Sequence, residues 1–165
     1  RPVYDGAHSG QMAFPGGKVD ESDIDLFAAA KREVWEEVGI VIPDDAVVLE
    51  LTEMLIPVSQ FIVQPFVFYL PTLPMMTLSE REVAEVYHVT LEELLEDQNI
   101  RTTDIRLNEK MMLRDIPYYH LQDNRYKYLH TYQNFHSLLS ELQHSSNIQG
   151  RIWKSHWYPD RLCIF

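Results

Sequence analysis

Disulfide bonds and long apolar runs are the features that this sequence lacks. Its single cysteine, Cys163, cannot pair within the chain, and such low cysteine usage is typical of a reducing compartment. No run approaches the roughly 18 apolar residues that a membrane-spanning helix needs. The first residues, 1–5, do not begin a signal-peptide pattern. We therefore expect a cytoplasmic protein with no membrane partner.

Positive charge is scarce as well. The chain has 14 Lys and Arg against 25 Asp and Glu, a formal net charge of −11 at pH 7. Binding to a nucleic-acid backbone needs clustered Lys and Arg, so we expect no nucleic-acid partner. An acidic enzyme that handles an anionic substrate needs a cation at its site, and a divalent metal ion would supply one. The simpler alternative is that the charge serves solubility.

The length and the charge distribution indicate how the chain is organised. A chain of 165 residues suits one domain with a hydrophobic core. Residues 125–165 hold five basic and two acidic residues, a net charge of +3, which leaves −14 for residues 1–124. This shift predicts a main domain over 1–124 and a divergent, partly helical segment over 125–165, either continuing the domain or appended to it.

Local patterns predict helices mixed with strands, an α/β (α+β) class. A helix is expected from about residue 24 to 38, with Ser22 or Asp23 as its N-cap and Gly39 just beyond its end. Segments rich in β-branched and aromatic residues predict strands at 47–52, 61–63, 65–70, 83–89, 111–113 and 118–121. Helices are also expected at 90–95 and 126–142.

The chemistry is expected on that first helix. At about 100° per residue, Glu33, Glu36 and Glu37 share one face, whereas the apolar residues of the helix share another that would face the core. These apolar residues are Phe27, Ala30, Val34 and Val38. Neighbouring carboxylates repel one another, and a hard divalent cation with a preference for oxygen ligands removes that penalty. A solvated acidic face is the alternative, but it does not account for the glycine-rich loop at Gly16 and Gly17.

This segment resembles the Nudix box, whose pattern is G-x5-E-x7-R-E-U-x-E-E-x-G-U with U an aliphatic residue. Residues 32–40 match every fixed position of its second half. Asp23 stands where the pattern has its first glutamate, and eight residues rather than seven separate it from Arg32. The resemblance implies a Nudix-type α/β/α sandwich with a mixed sheet, with the first N-terminal strands of the family missing from this chain.

The chain also resembles one branch of that family, the coenzyme A diphosphatases. In this branch the longer spacing with Asp at the Asp23 position is common. Further similarity extends over about residues 1–124, in three places: the lead-in with Arg1, Gly10 and 14–17, the stretch 56–67, and the stretch 82–86. Pro2 and Gly6 depart from the lead-in, where the branch has a small residue and an arginine.

The resemblance implies roles for individual residues. Mg²⁺ or Mn²⁺ would be held by the acidic side chains and one backbone carbonyl, namely Glu33, Glu36, Glu37 and Gly17. Arg32 would orient the carboxylates with Asp23 as its partner, and Lys18 and Arg1 would bind substrate. The general base stays open between Glu37, another glutamate of the box, and Glu82 outside it.

The implied reaction is hydrolysis of a diphosphate linkage in coenzyme A or its thioesters, which gives 3′,5′-ADP and 4′-phosphopantetheine. One alternative is another nucleoside diphosphate substrate, such as ADP-ribose or a dinucleotide. A second is a Nudix-fold binding module without activity. A homodimer that covers an open sheet edge is compatible with all three.

Overall fold

The computed structural model describes residues 13–56, 61–72, 74–90, 99–106, 111–119 and 162–164, together with Pro2, Glu96 and Glu109. Within this part of the chain the elements are a helix, a short 3₁₀ helix and seven strands. They are α1 (Leu26–Val38), the 3₁₀ helix (Asp44–Ala46), β1 (Val47–Glu50), β2 (Met54–Ile56), β3 (Phe61–Val63), β4 (Phe66–Tyr69), β5 (Ile100–Arg106), β6 (Met112–Tyr119) and β7 (Leu162–Ile164). The predicted α/β class is confirmed. No helix among the described residues is long and apolar enough to cross a membrane.

Strand β4 lies at the centre of the largest sheet in the described structure. It pairs antiparallel with β1 on one side and with β7 on the other. Phe66, Val67 and Phe68 are consecutive and all buried, as expected of a strand that is covered on both faces. The pairs β2–β3 and β5–β6 form two further antiparallel ladders.

Helix α1 packs against β4 through aromatic rings. The Phe27 ring lies 5.6 Å from that of Phe66 and 5.8 Å from that of Phe68, measured between centroids. Val34 and Val38, two and three turns further along, are buried in the same cluster. The predicted apolar face is therefore confirmed. Because this face fixes the rotation of the helix, the glutamates lie on a separate arc, on which Glu36 is exposed and Glu37 is buried.

The N-terminus of α1 differs from the prediction by two residues. Asp25 is the N-cap, and its carboxylate accepts a hydrogen bond from the N–H of Ala28 at 2.6 Å. The expectation of Ser22 or Asp23 at this position is wrong, because the Asp23 carboxylate is bound by an arginine of the helix instead. Helix α1 thus begins at Leu26 rather than at Ile24.

Gly39 ends α1 in the left-handed conformation, as the sequence predicts, with φ of 72°. Its N–H donates to the carbonyl of Trp35 at 2.9 Å, and the carbonyl of Val38 accepts from the N–H of Thr77 at 2.9 Å. A β-carbon added to Gly39 would lie 2.9 Å from the backbone oxygen of Thr77. The helix end and the segment around Thr77 are therefore packed too closely for a side chain.

Replacing Gly39 with alanine is expected to lower the free energy of unfolding by about 2 kcal/mol, because an L-residue is strained at positive φ and the Thr77 backbone blocks its β-carbon. Urea denaturation of both proteins measures the difference. Gly39→Asn tolerates this backbone conformation better, but it carries the same β-carbon and should also lose stability. Equal stability of the alanine variant and the parent protein would contradict this account.

The segment 83–89 was predicted as a strand, and this is wrong. The described residues there form no ladder, and the N–H of Val83 donates to the carbonyl of Ser79 at 2.8 Å, which makes a turn. Val83 and Val86 nevertheless pack against the core. The two valines that suggested a strand therefore contribute to the core from a segment without regular secondary structure.

The β5–β6 hairpin also departs from the prediction. Strand β5 was not predicted, and β6 is one strand where two were expected around residues 115–117. The register shifts between Thr103 and Ile105. Opposite this shift Asp115 has φ of 55°, and its N–H donates to the carboxylate of Asp104 at 3.1 Å. This local irregularity allows β6 to continue through residues 115–117, where the sequence predicted a break between two strands.

Two predicted helices cannot be compared with the structure in full. Residues 91–95 and 126–142 lie outside the described residues. Strand β7, near the end of the chain, was not predicted, and it pairs Val67, Phe68 and Tyr69 of β4 with Ile164, Cys163 and Leu162.

Candidate functional site

Arg32 joins the loop before α1 to the helix itself. Its Nε donates to both carboxylate oxygens of Asp23, at 3.0 and 3.3 Å, and its Nη2 donates to Oδ2 at 2.9 Å. The Asp23 side chain is only 5% exposed. This forked arrangement is the geometry that guanidinium and carboxylate groups favour, and it fixes the plane of the arginine head group.

The same guanidinium also binds the acidic face of α1 (Glu33, Glu36 and Glu37). Its Nη1 donates to Glu33 Oε1 at 2.9 Å and to Glu36 Oε2 at 3.1 Å. Its Nη2 donates to the backbone carbonyl of Lys18 at 3.0 Å. One side chain therefore orients two carboxylates of the helix and the loop that faces them.

Gly17 brings that loop against the acidic face. A β-carbon added at Gly17 would overlap the carboxylate of Glu33. A glycine is needed here because the carboxylate occupies the space of a side chain. The loop backbone and the Glu33 oxygens are thus immediate neighbours.

Glu37 and Glu82 are connected through the backbone. Glu37 is buried, with 8% of its surface exposed, and it lies one helical turn from Glu33. Its carbonyl accepts from the N–H of Ser79 at 2.9 Å, and the carbonyl of Ser79 accepts from the N–H of Glu82 at 3.0 Å. The turn that carries the exposed Glu82 is therefore anchored at the end of the acidic face. Nothing in the local sequence singled out Ser79 for this role.

Ion pairing changes the acidity of Asp23. The Arg32 guanidinium, which donates to the Asp23 carboxylate, holds the pKa of that carboxyl below its usual value, and the N–H of Asp20 lowers it further. The same contacts raise the pKa of Arg32, chiefly through the hydrogen bond to Asp23. Arg32 and Asp23 are therefore both charged at neutral pH.

This pair predicts a pH dependence of stability. Because the native pKa of Asp23 lies below its unfolded value, the pair stabilises the fold above the usual range near pH 4, and the contribution is lost as pH falls through the native pKa. The difference in unfolding free energy between the parent protein and Asp23→Asn should be constant above about pH 5 and shrink in acid. Denaturation curves measured between neutral pH and acid give this difference. If the difference between the two unfolding free energies is the same at every pH, Asp23 is not the group responsible for the loss of stability in acid.

Lys18 lies at the other edge of the loop. Its ammonium nitrogen sits 4.8 Å from the ring centroid of Phe61 on β3, within the range of a cation–π interaction. The sequence predicted Lys18 as a substrate-binding residue but did not assign a role to Phe61. Arg1, predicted as a second substrate-binding residue, lies outside the described residues.

The acidic face is suited to a hard cation by its chemistry. In the described ranges, no group of three or more His, Cys, Asp or Glu is already gathered as a metal cluster, and Glu33 and Glu36 are paired with Arg32. Their oxygens, together with the bare backbone at Gly17, are nevertheless the donors that Mg²⁺ and Mn²⁺ prefer. The residues present therefore fit a divalent cation.

Comparison with known proteins gives one family and several relatives. The sequence profile described as NUDIX domain matches residues 1–111. A Citrobacter koseri protein named "Uncharacterized Nudix hydrolase NudL" is 44% identical over 88 residues, which cover 53% of this chain and 45% of that protein. Proteins of the same name from Enterobacter sp. and Cronobacter sakazakii are 42% and 45% identical, over 60% and 53% of this chain and 51% and 45% of their own lengths.

These matches have a limited extent. The chain spans about half the length of the curated relatives that it matches. No solved structure matches the chain.

Proposed function

The chain belongs to the NUDIX domain family, and from this premise we propose that it hydrolyses a diphosphate linkage in coenzyme A or its thioesters, with Mg²⁺ or Mn²⁺. The products would be 3′,5′-ADP and 4′-phosphopantetheine. One observation carries the proposal: a single arginine orients two carboxylates of the acidic face against a glycine loop that leaves room for them.

In this proposal the acidic face holds the metal. Glu33, Glu36 and Glu37 would be the side-chain ligands, with the carbonyl of Gly17 beside them. When bound, the metal would supply charge neutralisation at the diphosphate and an activated water. The cation would then offset the repulsion between the carboxylates. Arg32 already offsets part of this repulsion, because it binds both Glu33 and Glu36.

The remaining residues position groups around that centre. Arg32 holds Glu33 and Glu36 in place through one nitrogen, and Asp23 in turn fixes Arg32. Such preorganisation of charged groups accounts for most of the rate in phosphoryl-transfer sites. Lys18 would contact a phosphate. The proton of the attacking water would go to Glu37, to another glutamate of the acidic face, or to Glu82.

The choice of coenzyme A rests on resemblance. The lead-in residues 14–17, the Asp23 spacing and the stretches 56–67 and 82–86 are similar to the coenzyme A diphosphatase branch. The relatives named above are called Nudix hydrolases, which agrees with the reaction class. These names give no substrate, so the choice of coenzyme A is part of the proposal.

The test is hydrolysis of coenzyme A, ADP-ribose and a dinucleotide, each with Mg²⁺ and with Mn²⁺, followed by chromatographic separation of the products. We expect 3′,5′-ADP from coenzyme A and no product in excess EDTA, with activity restored when metal is added back. If ADP-ribose or the dinucleotide is cut instead, the reaction class stands and the substrate is corrected. If no diphosphate is cut with either metal, the protein is a binding module rather than an enzyme.

A further inference from the structure

Lys18 is held at both ends in this structure. Its backbone carbonyl accepts from Arg32 Nη2 at 3.0 Å, and its ammonium lies over the ring of Phe61 at 4.8 Å. Arg32 belongs to α1 and Phe61 to β3, so the lysine bridges two separate elements. A surface lysine ordinarily samples many rotamers, and fixing its two ends removes much of that freedom.

The backbone of Lys18 adjoins the acidic face. Gly17, the preceding residue, is in contact with the Glu33 carboxylate. Lys18 therefore follows directly on the backbone that faces the candidate metal ligands. A diphosphate bound to a metal on the acidic face would extend its negative charge beyond that metal. The ammonium of the residue that follows Gly17 is a group that can bind such a charge.

Phe61 is poorly explained as a core residue. It is 46% exposed and lies on the short β3 strand, where it pairs with Ile56. The face of its ring contacts the Lys18 ammonium. The attraction between a ring face and a cation is electrostatic, and it needs an aromatic side chain. A leucine of similar size would fill the same space without that attraction.

We infer that Phe61 is a positioning residue, which holds the Lys18 ammonium ready for the phosphates of the substrate. This inference rests on the proposed function, because it is the substrate's diphosphate that Lys18 would bind. Phe61 itself need not touch the reacting atoms.

The test uses Phe61→Leu and Phe61→Tyr in the full chain, with Lys18→Met and the double variant Phe61→Leu/Lys18→Met. The probe is methylenediphosphonate with Mg²⁺, because its P–C–P bridge is not hydrolysed. We expect Phe61→Leu to weaken its binding about fourfold and Phe61→Tyr to bind like the parent. Lys18→Met should bind methylenediphosphonate more weakly than the parent, and adding Phe61→Leu to this variant should not weaken the binding further. For coenzyme A, KM should rise in Phe61→Leu while kcat is retained.

A second readout does not depend on activity. Ring currents from Phe61 should shift the NMR signals of the Lys18 ε-methylene protons upfield in the parent and in Phe61→Tyr, but not in Phe61→Leu. An unchanged lysine signal in Phe61→Leu, or a fourfold loss that persists in the Lys18→Met background, would overturn the inference. If no diphosphate is hydrolysed but the binding and NMR results hold, the proposed reaction fails and the positioning role stands.

Discussion

Replacing Glu37 with glutamine is expected to lower kcat for diphosphate hydrolysis by about a thousandfold. Glutamine has nearly the same shape as glutamate but no negative charge, so it can neither hold a divalent cation as firmly nor accept a proton. Glu37 is the buried member of the acidic face. Its charge acts where water is least able to screen it, which is why a single neutralisation should have so large an effect.

The measurement is steady-state hydrolysis of coenzyme A with saturating Mg²⁺ or Mn²⁺. Glu50→Gln is a matched control, because Glu50 is an exposed glutamate of β1 outside the site, and it should retain full activity. Thermal unfolding of both variants shows whether the fold is kept. Activity of Glu37→Gln within a few-fold of the parent would remove Glu37 from the catalytic set.

Glu82→Gln extends this experiment to the identity of the base. Glu82 is exposed, and Ser79 ties it to the end of the acidic face through backbone hydrogen bonds. A base that is not a metal ligand should lose kcat on neutralisation while metal affinity is unchanged. A metal ligand should lose both. Metal titrations of Glu37→Gln and Glu82→Gln therefore separate the two roles, whichever of the two residues takes the proton.

The helix and the position of its acidic residues were predictable because their signals are local. The apolar face of α1 recurs at helical spacing, and Gly39 marks its end. The acidic face follows from the same periodicity, since its three glutamates fall on an arc separate from the residues that face β4. The sequence therefore predicts which apolar residues of α1 pack against the core, but it does not predict that Glu37 is buried as well.

The start of the helix was less predictable, for a physical reason. Ser22, Asp23 and Asp25 are all good N-cap residues, and the sequence does not say which one is free to cap. Asp23 is bound by Arg32, nine residues along the chain, so the cap falls to Asp25. A long-range ion pair thus decided a local boundary.

Two further differences concern contacts between distant segments, and a third concerns a local turn. Strand β7 pairs with β4, and Lys18 meets Phe61, but neither contact leaves a periodic signal in the sequence. The segment 83–89 has the composition of a strand, yet the Val83 N–H is used in a turn. Composition indicates burial there correctly and the backbone conformation wrongly.

Replacing Gly17 with alanine is expected to lower kcat about a hundredfold while leaving stability nearly unchanged. The added β-carbon would overlap the Glu33 carboxylate, which is the mobile end of a long side chain and can swing away. The fold can therefore accommodate the alanine, whereas the Glu33 carboxylate would move away from its proposed position as a metal ligand. This contrasts with Gly39, where the obstructing atoms belong to the Thr77 backbone.

A double-mutant cycle with Glu33 tests this explanation. In the Glu33→Gln background the carboxylate is already lost, so Gly17→Ala should cost little more activity. In the Glu33→Asp background the shorter side chain draws the carboxylate back from residue 17, and the cost of the alanine should again be smaller than in the parent. If the alanine costs a hundredfold in all three backgrounds, Gly17 acts through its own backbone instead. The cycle thereby separates a displaced side chain from a displaced loop, because only a displaced side chain makes the two substitutions interact.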